Sequence, residues 1–342
     1  MAKMKKWNIG FYIAGLLIFF YMIYAIGIAQ IWENIRKTGW WFLPVIAVWL
    51  VVYIINTFAW NAIVRDKSDL TVTRYPSFLK MLKITISGYC INYITPVVAL
   101  GGEPYRIFQI QDYVGARKAT SKVLSYSMMH ILSHIVFWTC SIILILLWLR
   151  PPWGLAVGLF ITLLLFVLAL YMVFRGYRKG LVAKTIRILE KIPFIKKPVR
   201  KFSEHRLHTF QEIDRHIVNL YSCRRWVFFQ SLFLEFLARV VSCIELVFIA
   251  KAIGVDMTML DALVLYAGST LFSNIMFFSP MQLGTREGGL ALTISIMGFT
   301  AALGVYTGLV MRIRELFWIG VGLLLIRIKN VKRETLNVKR EE

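Results

Sequence analysis

Two short stretches of this chain set arginine near glutamate in otherwise apolar surroundings: Glu103 with Arg106, and Arg286 with Glu287. Each pair closes the same pattern. A hydroxyl residue (Thr95 or Ser279) precedes a proline (Pro96 or Pro280), six residues containing glycine follow, and the glutamate comes next. A charged side chain at a bilayer centre costs a few kcal/mol, so such residues are by default candidates for a substrate path. Two kinds of chemistry are open to them. One is recognition of an anion, by the guanidinium and by backbone amides at a helix start. The other is proton transfer by a carboxylate whose pKa a neighbouring arginine tunes. Equally, each pair can simply satisfy itself and lock a turn.

The first stretch runs from Asn92 through Pro96, Gly101 and Gly102 to Glu103, Pro104 and Arg106. Proline removes a backbone donor and glycine loosens the chain, so the stretch reads as a break between two half-helices. Glu103-Pro104 then suits a new first turn, where the missing N–H costs nothing and the glutamate meets the positive dipole end. The second stretch runs from Asn274 through Pro280 and Gly284 to Arg286-Glu287. The candidate substrate-binding residues at the breaks are therefore Asn92, Glu103, Arg106, Asn274, Arg286 and Glu287. Pro96, Gly101, Gly102, Pro280 and Gly284 make the breaks.

Further charges fall inside apolar runs: Glu235, Arg239 and Glu245 in one, and Arg312, Arg314 and Glu315 in another. Facing lipid would cost a few kcal/mol each, so they belong in the bundle interior. Glu235 and Arg239 are four apart, close enough to pair along a helix. Arg239 and Arg312 join the candidate substrate-binding residues. His130 and His134 are also four apart, but no carboxylate completes an HExxH pattern, so packing or hydrogen bonding is favoured over metal binding. No metal, cofactor or catalytic residue is assigned. Cys90, Cys140, Cys223 and Cys243 lack CxxC spacing and indicate neither a disulfide framework nor a zinc site.

The elements that must position these residues are membrane helices. The hydrophobic fraction is 58%, the mean hydropathy is +0.65, and several apolar runs exceed the roughly 20 residues needed to cross a bilayer. Full spans are expected near residues 8–31, 42–64, 123–149, 154–174, 227–250 and 305–328. Two less uniformly apolar segments, 78–116 and 260–300, hold the breaks and read as re-entrant hairpins. Lys3, Lys5 and Lys6 precede the first run, which is too long and aromatic for a signal-peptide core and reads as a retained span. Trp40, Trp41, Trp148, Trp153 and Trp226 fall at expected interfaces, as belt anchors do.

Charge distribution orients these segments. Lys and Arg concentrate near the N-terminus, in 65–83, in 117–122, in 175–225 and in the tail 329–342, while the alternate loops hold only Arg36, Lys37, Arg150 and Lys251. That asymmetry satisfies the positive-inside rule when both termini are cytoplasmic and both broken segments return to their own side. The expected fold is thus an all-α polytopic membrane protein of two inverted-topology repeats, 1–150 and 151–342. Each has three full spans and one broken re-entrant hairpin, and the hairpin tips meet near the midplane. The loop 175–225 carries 14 Lys or Arg and reads as a solvated cytoplasmic segment or an interfacial helix on anionic lipid. The net charge of +22 is explained by this topology and by anionic headgroups rather than by nucleic acid, for which no module is visible.

At Gly101-Gly102-Glu103-Pro104-Tyr105-Arg106 and from Ser279-Pro280 to Glu287-Gly288 the chain resembles the transmembrane region of lysylphosphatidylglycerol synthases, a family that also includes stand-alone flippase-like proteins of bacteria and archaea. Met281-Gln282 stand where the second motif commonly has two glycines. In bifunctional relatives a soluble domain attaches the amino acid to the lipid, whereas here the sequence ends about a dozen residues after the last span. The resemblance therefore implies lipid translocation in a bacterial or archaeal cytoplasmic membrane, with Glu103, Arg106, Arg286 and Glu287 as the matching positions, and removes aminoacyl transfer. Membrane lipids with anionic headgroups are the implied partners. No phosphate-binding G-x-x-x-x-G-K-[ST] is present, so transport would be passive or ion-coupled. An embedded enzyme acting on a lipid-linked substrate and a small-solute transporter are the competing functions.

Overall fold

The computed structural model describes residues 20, 24, 27–66, 72, 74–94, 101–148, 151–179, 218, 224–275 and 285–341. The side chains at 30, 176–179, 274, 275, 285, 287, 301, 302 and 328–341 are excepted. Pro96, Pro280 and Gly284 lie outside the described residues, as do most of the expected first span and of the basic loop. Among the described residues every regular element is helical. The helices are α1 (Ile28–Thr38), a 3-10 turn (Gly39–Trp41), α2 (Phe42–Val64), α3 (Phe78–Ile94), α4 (Gly102–Val114) and α5 (Ala116–Trp148). They continue with α6 (Trp153–Lys179), α7 (Arg225–Ala252), α8 (Met259–Ile275), α9 (Thr285–Ile296) and α10 (Ala301–Glu341).

Among the described residues three helical segments, Ile31–Val64, Ala116–Trp148 and Trp153–Arg175, are long and apolar enough to cross a membrane. The segments expected to be broken each hold two described helices, α3 and α4 in the first and α8 and α9 in the second. The tryptophans expected to anchor at interfaces stand exposed at helix ends: Trp40 before α2, Trp148 at the end of α5, Trp153 and Trp226 at the starts of α6 and α7.

Packing divides the chain into two compact units that interleave along the sequence. The first comprises residues 1–54, 77–106 and 238–342. Here α10 is the common neighbour: α1, α3 and α9 all pack on it, and α8 packs on α9. Its contact with α3 is close because Gly322 has no side chain. A Cβ there would lie 2.4 Å from the Cβ of Cys90. Ser87 Oγ donates to the Gly322 carbonyl at 3.4 Å and Cys90 Sγ to that of Ile319 at 3.3 Å. Beside this contact Tyr53, Ile86 and Trp318 form a buried cluster, flanked by Trp49 and Tyr89.

The second unit comprises residues 55–76 and 107–237. Within it α5 packs against α6, with Trp138 stacked on Phe166, and Phe137 lies against Phe236 of α7. The last carbonyls of a helix have no intrahelical partners. At the end of α2 two cations supply them: Arg224 donates to the carbonyls of Ala62 (3.1 Å) and Arg65 (2.7 Å), and Lys122 Nζ to that of Ile63 (3.4 Å). Arg224 also pairs with Asp66 at 3.3 Å. Basic residues on expected cytoplasmic segments thus also complete a helix end, where cations meet the negative end of the dipole.

Candidate functional site

The charges of the first unit gather on α10. Arg312, Arg314 and Glu315 are each at most 3% exposed. Glu315 lies in the apolar part of α10, so burying it unpaired would leave an ionised carboxylate in a low-dielectric interior. It is not unpaired. Arg286, in the first turn of α9, donates to one of its oxygens, and Arg312, one turn back along α10, donates to the other at 3.3 Å. Arg314 Nη1 lies 4.0 Å from the first oxygen.

Arg314 is held by a second carboxylate. Its Nε and Nη2 reach the two oxygens of Glu245 on α7, at 2.8 and 3.1 Å, a two-point guanidinium–carboxylate pairing. Trp49 Nε1 adds a third bond to Glu245 at 2.6 Å, and the guanidinium carbon sits 3.9 Å from the centre of the Trp49 ring. Glu245 is wholly buried and Arg314 almost so. This assembly ties α2, α7 and α10 together, and its three bonds to Glu245 leave that carboxylate little capacity for anything else.

Registers along α10 order the described ends of α3 and α9. Ser87 meets Gly322 and Cys90 meets Ile319, so α3 runs antiparallel to α10. Continuing that register, Ile94 at the end of α3 comes level with Glu315. On the other side Gly304 faces Ala291 and Glu315 meets Arg286, so α9 also runs antiparallel to α10 and begins at Glu315. The described start of α9 therefore meets Glu315, and the described end of α3 comes level with it along α10.

The start of α4 is built by close approach to α3. Gly102 N–H donates to Asn92 Oδ1 at 2.6 Å, so Asn92 serves an amide that the helix start leaves without an intrahelical acceptor. A Cβ on Gly102 would lie 2.3 Å from the Gly88 carbonyl oxygen, which explains the glycine. Arg106 is 2% exposed and lies along Gly88, where a Cβ would meet its Nε at 2.6 Å. Its guanidinium carbon is 4.9 Å from the Tyr89 ring centre, and Nη1 is 3.5 Å from Glu103. Tyr89, Tyr53 and Trp49 follow one another at centroid distances of 5.5 and 5.8 Å. An aromatic path thus runs from Arg106 to Arg314.

Of the residues chosen from sequence, Arg286 and Arg312 meet on one carboxylate, while Asn92, Gly102, Glu103 and Arg106 form a second group at the α4 start. Gly101 lies in the bend just before it. Arg239 is buried on α7. Asn274 and Glu287 stand on α8 and α9, with side chains outside those described. Sequence reasoning did not select Glu315 as the meeting point, although its i,i+3 spacing from Arg312 in an apolar run signals a pair. Nothing in the sequence marks Trp49, Tyr53 or Tyr89. Among the described residues no cluster of three His, Cys, Asp or Glu side chains is placed to hold a metal ion.

A helical protein with membrane-length apolar helices and a buried arginine–glutamate network is an all-α integral membrane protein. The chain belongs to the lysylphosphatidylglycerol synthase TM region family, whose model matches residues 7–322. No curated protein and no solved structure matches it. Membership ties the chain to a membrane family named for a lipid.

Proposed function

We propose that this protein is a lipid flippase or lipid transporter that moves a phospholipid, or a related anionic or modified lipid, between leaflets. The observation that carries this is the buried carboxylate of Glu315, which Arg286 at the start of α9 and Arg312 on α10 share. Two guanidiniums on a single carboxylate form a site that a phosphate can enter by exchange, because one arginine can turn from glutamate to phosphate without being left unpaired. Arg314, fixed on Glu245 and Trp49, holds α10 while that exchange takes place. The α4 start contributes Glu103 and Arg106 to the same passage.

In this reading the segments 78–116 and 260–300 are re-entrant hairpins of two inverted repeats, and the breaks line a cavity near the midplane. Both termini face the cytoplasm of a bacterial or archaeal cell. The family's lipid-based name supports a lipid as cargo. In this reading the lipid is moved between leaflets rather than chemically modified.

Proteoliposomes containing a labelled phosphatidylglycerol test the proposal. Accelerated exchange of the label between leaflets, with lipid masses unchanged by mass spectrometry, is the expected result. A new lipid mass without exchange would identify an enzyme instead. Saturable uptake of a water-soluble solute without lipid movement would identify a solute transporter.

A further inference from the structure

The apolar segment Ile31–Val64 is longer than one crossing needs. Its 23-residue helix α2 alone covers about 35 Å, enough for a hydrocarbon core of roughly 30 Å. The 11 residues of α1 are surplus to that crossing. Glycines with positive φ bound them, Gly27 at 88° and Gly39 at 55°, so α1 is a separate rod rather than the first turns of α2. The junction with α2 has the make-up of a membrane interface. Trp40 is exposed, Trp41 stacks on Phe248 at 5.8 Å, and Lys251 Nζ, in the last turn of α7, lies 5.9 Å from the centre of the Trp41 ring.

Three sides of α1 differ in chemistry. Ile28, Ile31, Trp32 and Ile35 recur at i, i+3, i+4 and i+7 and form one apolar stripe, in which Ile28 is 73% and Trp32 68% exposed. Glu33 and Lys37, paired at 2.7 Å and both mostly exposed, lie on the opposite side. On the flank between them Asn34 and Thr38 are buried, and α1 packs on α10. Thr38 Oγ1 donates to the Asn34 carbonyl at 2.7 Å, so across 2.8 Å it accepts from the Tyr306 hydroxyl of α10. A surface helix of a soluble protein turns its apolar stripe to the core. Here polar side chains meet α10 instead, and the stripe keeps Ile28 and Trp32 exposed. Were α1 upright in the bilayer, the Glu33–Lys37 pair opposite the stripe would face lipid, where charges are costly. Lying flat, it puts the stripe in lipid and the pair in water.

We infer that α1 is an interfacial helix that lies along the headgroup–acyl boundary of one leaflet, with Ile28 and Trp32 in lipid and Glu33 and Lys37 in water. Its partner is the lipid surface itself, matched by an apolar stripe opposite a charged one. The bond from Tyr306 ties it to α10, the helix that carries Glu315. This surface is separate from the Glu315 site and does not depend on lipid movement.

Nitroxide depth measurements decide it. Ile28→Cys, Trp32→Cys and Lys37→Cys are each spin-labelled in full-length protein carrying Cys140→Ser and Cys223→Ser, with the buried Cys90 and Cys243 retained, and reconstituted into phosphatidylglycerol–phosphatidylcholine vesicles. All three sites are exposed, so each variant should elute as wild type does. Labels at the exposed α2 positions Leu43 and Leu50, two turns apart, calibrate depth. Collision rates with oxygen and with a water-soluble nickel chelate should put the labels at positions 28 and 32 at one depth, about 5–10 Å into the headgroup–acyl boundary, and the label at 37 in water. Depths at 28 and 32 that differ by about 6 Å, the rise of four helical residues, or a label at 37 in lipid, would stand α1 upright and overturn the inference. Labels at 28 and 32 open to the chelate would place the stripe in water and overturn it too. Shielding of both from either reagent, with spin–spin broadening, would show a second copy of the chain as the occupant instead of lipid.

Discussion

Arg286 and Arg312, one from the start of α9 and one from α10, donate to opposite oxygens of the same buried carboxylate, Glu315. Removing that carboxylate takes an ion-pair partner from two cations at once. Truncating one partner of a buried ion pair typically costs about 3–5 kcal/mol. Glu315→Gln should therefore lower the thermal unfolding midpoint in detergent substantially. Arg312→Gln, which leaves Arg286 on Glu315, should lower it less.

Glu245 accepts from Arg314 and Trp49 together, and the Trp49 ring also covers the guanidinium. Trp49→Phe keeps a ring beneath Arg314 and removes only the indole donor. A hydrogen bond to a charged group contributes about 1.5–3 kcal/mol, so Trp49→Phe should destabilise by that order. Made in a Glu245→Gln background, the same change should cost much less, and a double-mutant cycle on unfolding free energies measures the difference.

Glycines should rank by what surrounds them. A Cβ on Gly102 would meet a backbone oxygen at 2.3 Å and one on Gly322 would meet Cys90 Cβ at 2.4 Å, whereas Gly158 has open space around it. Gly102→Ala and Gly322→Ala should each cost about 1–3 kcal/mol by overpacking. Gly158→Ala should be neutral or stabilising by up to about 1 kcal/mol, since it removes only a helix-interior glycine. Thermal unfolding of the three variants gives the order.

Arg106 is pinned between Gly88, Tyr89 and Glu103. Arg106→Lys keeps the charge but loses the planar guanidinium that rests against Tyr89. It should lose both stability and lipid exchange, and Tyr89→Phe, which retains a ring, should lose little of either. Paired unfolding and exchange assays check this.

Several helix starts were legible because apolar runs and capping chemistry are local. The expected spans at 42–64, 227–250 and 305–328 start within a few residues of α2, α7 and α10, and Glu103-Pro104 opens α4 as its dipole and missing donor suggest. Partner choice was not legible. Glu235 meets His130, 105 positions away, and Arg314 meets Glu245, 69 positions away. Spacing along one helix reveals i,i+4 neighbours but not which helices face each other, and that depends on packing such as the Gly322–Cys90 contact. Glu315 was visible as a charge in an apolar run; its role as the meeting point needed the packing of α9 on α10.

The most direct measurement is the inter-leaflet exchange rate of a labelled anionic phospholipid and a labelled zwitterionic one, in proteoliposomes of wild type and of Arg286→Gln. Wild type should accelerate the anionic lipid well above protein-free vesicles, and Arg286→Gln should reduce that rate at least tenfold while remaining folded by size-exclusion chromatography. No acceleration by wild type, or an anionic rate unchanged in Arg286→Gln, would contradict the role assigned to the shared Glu315 site.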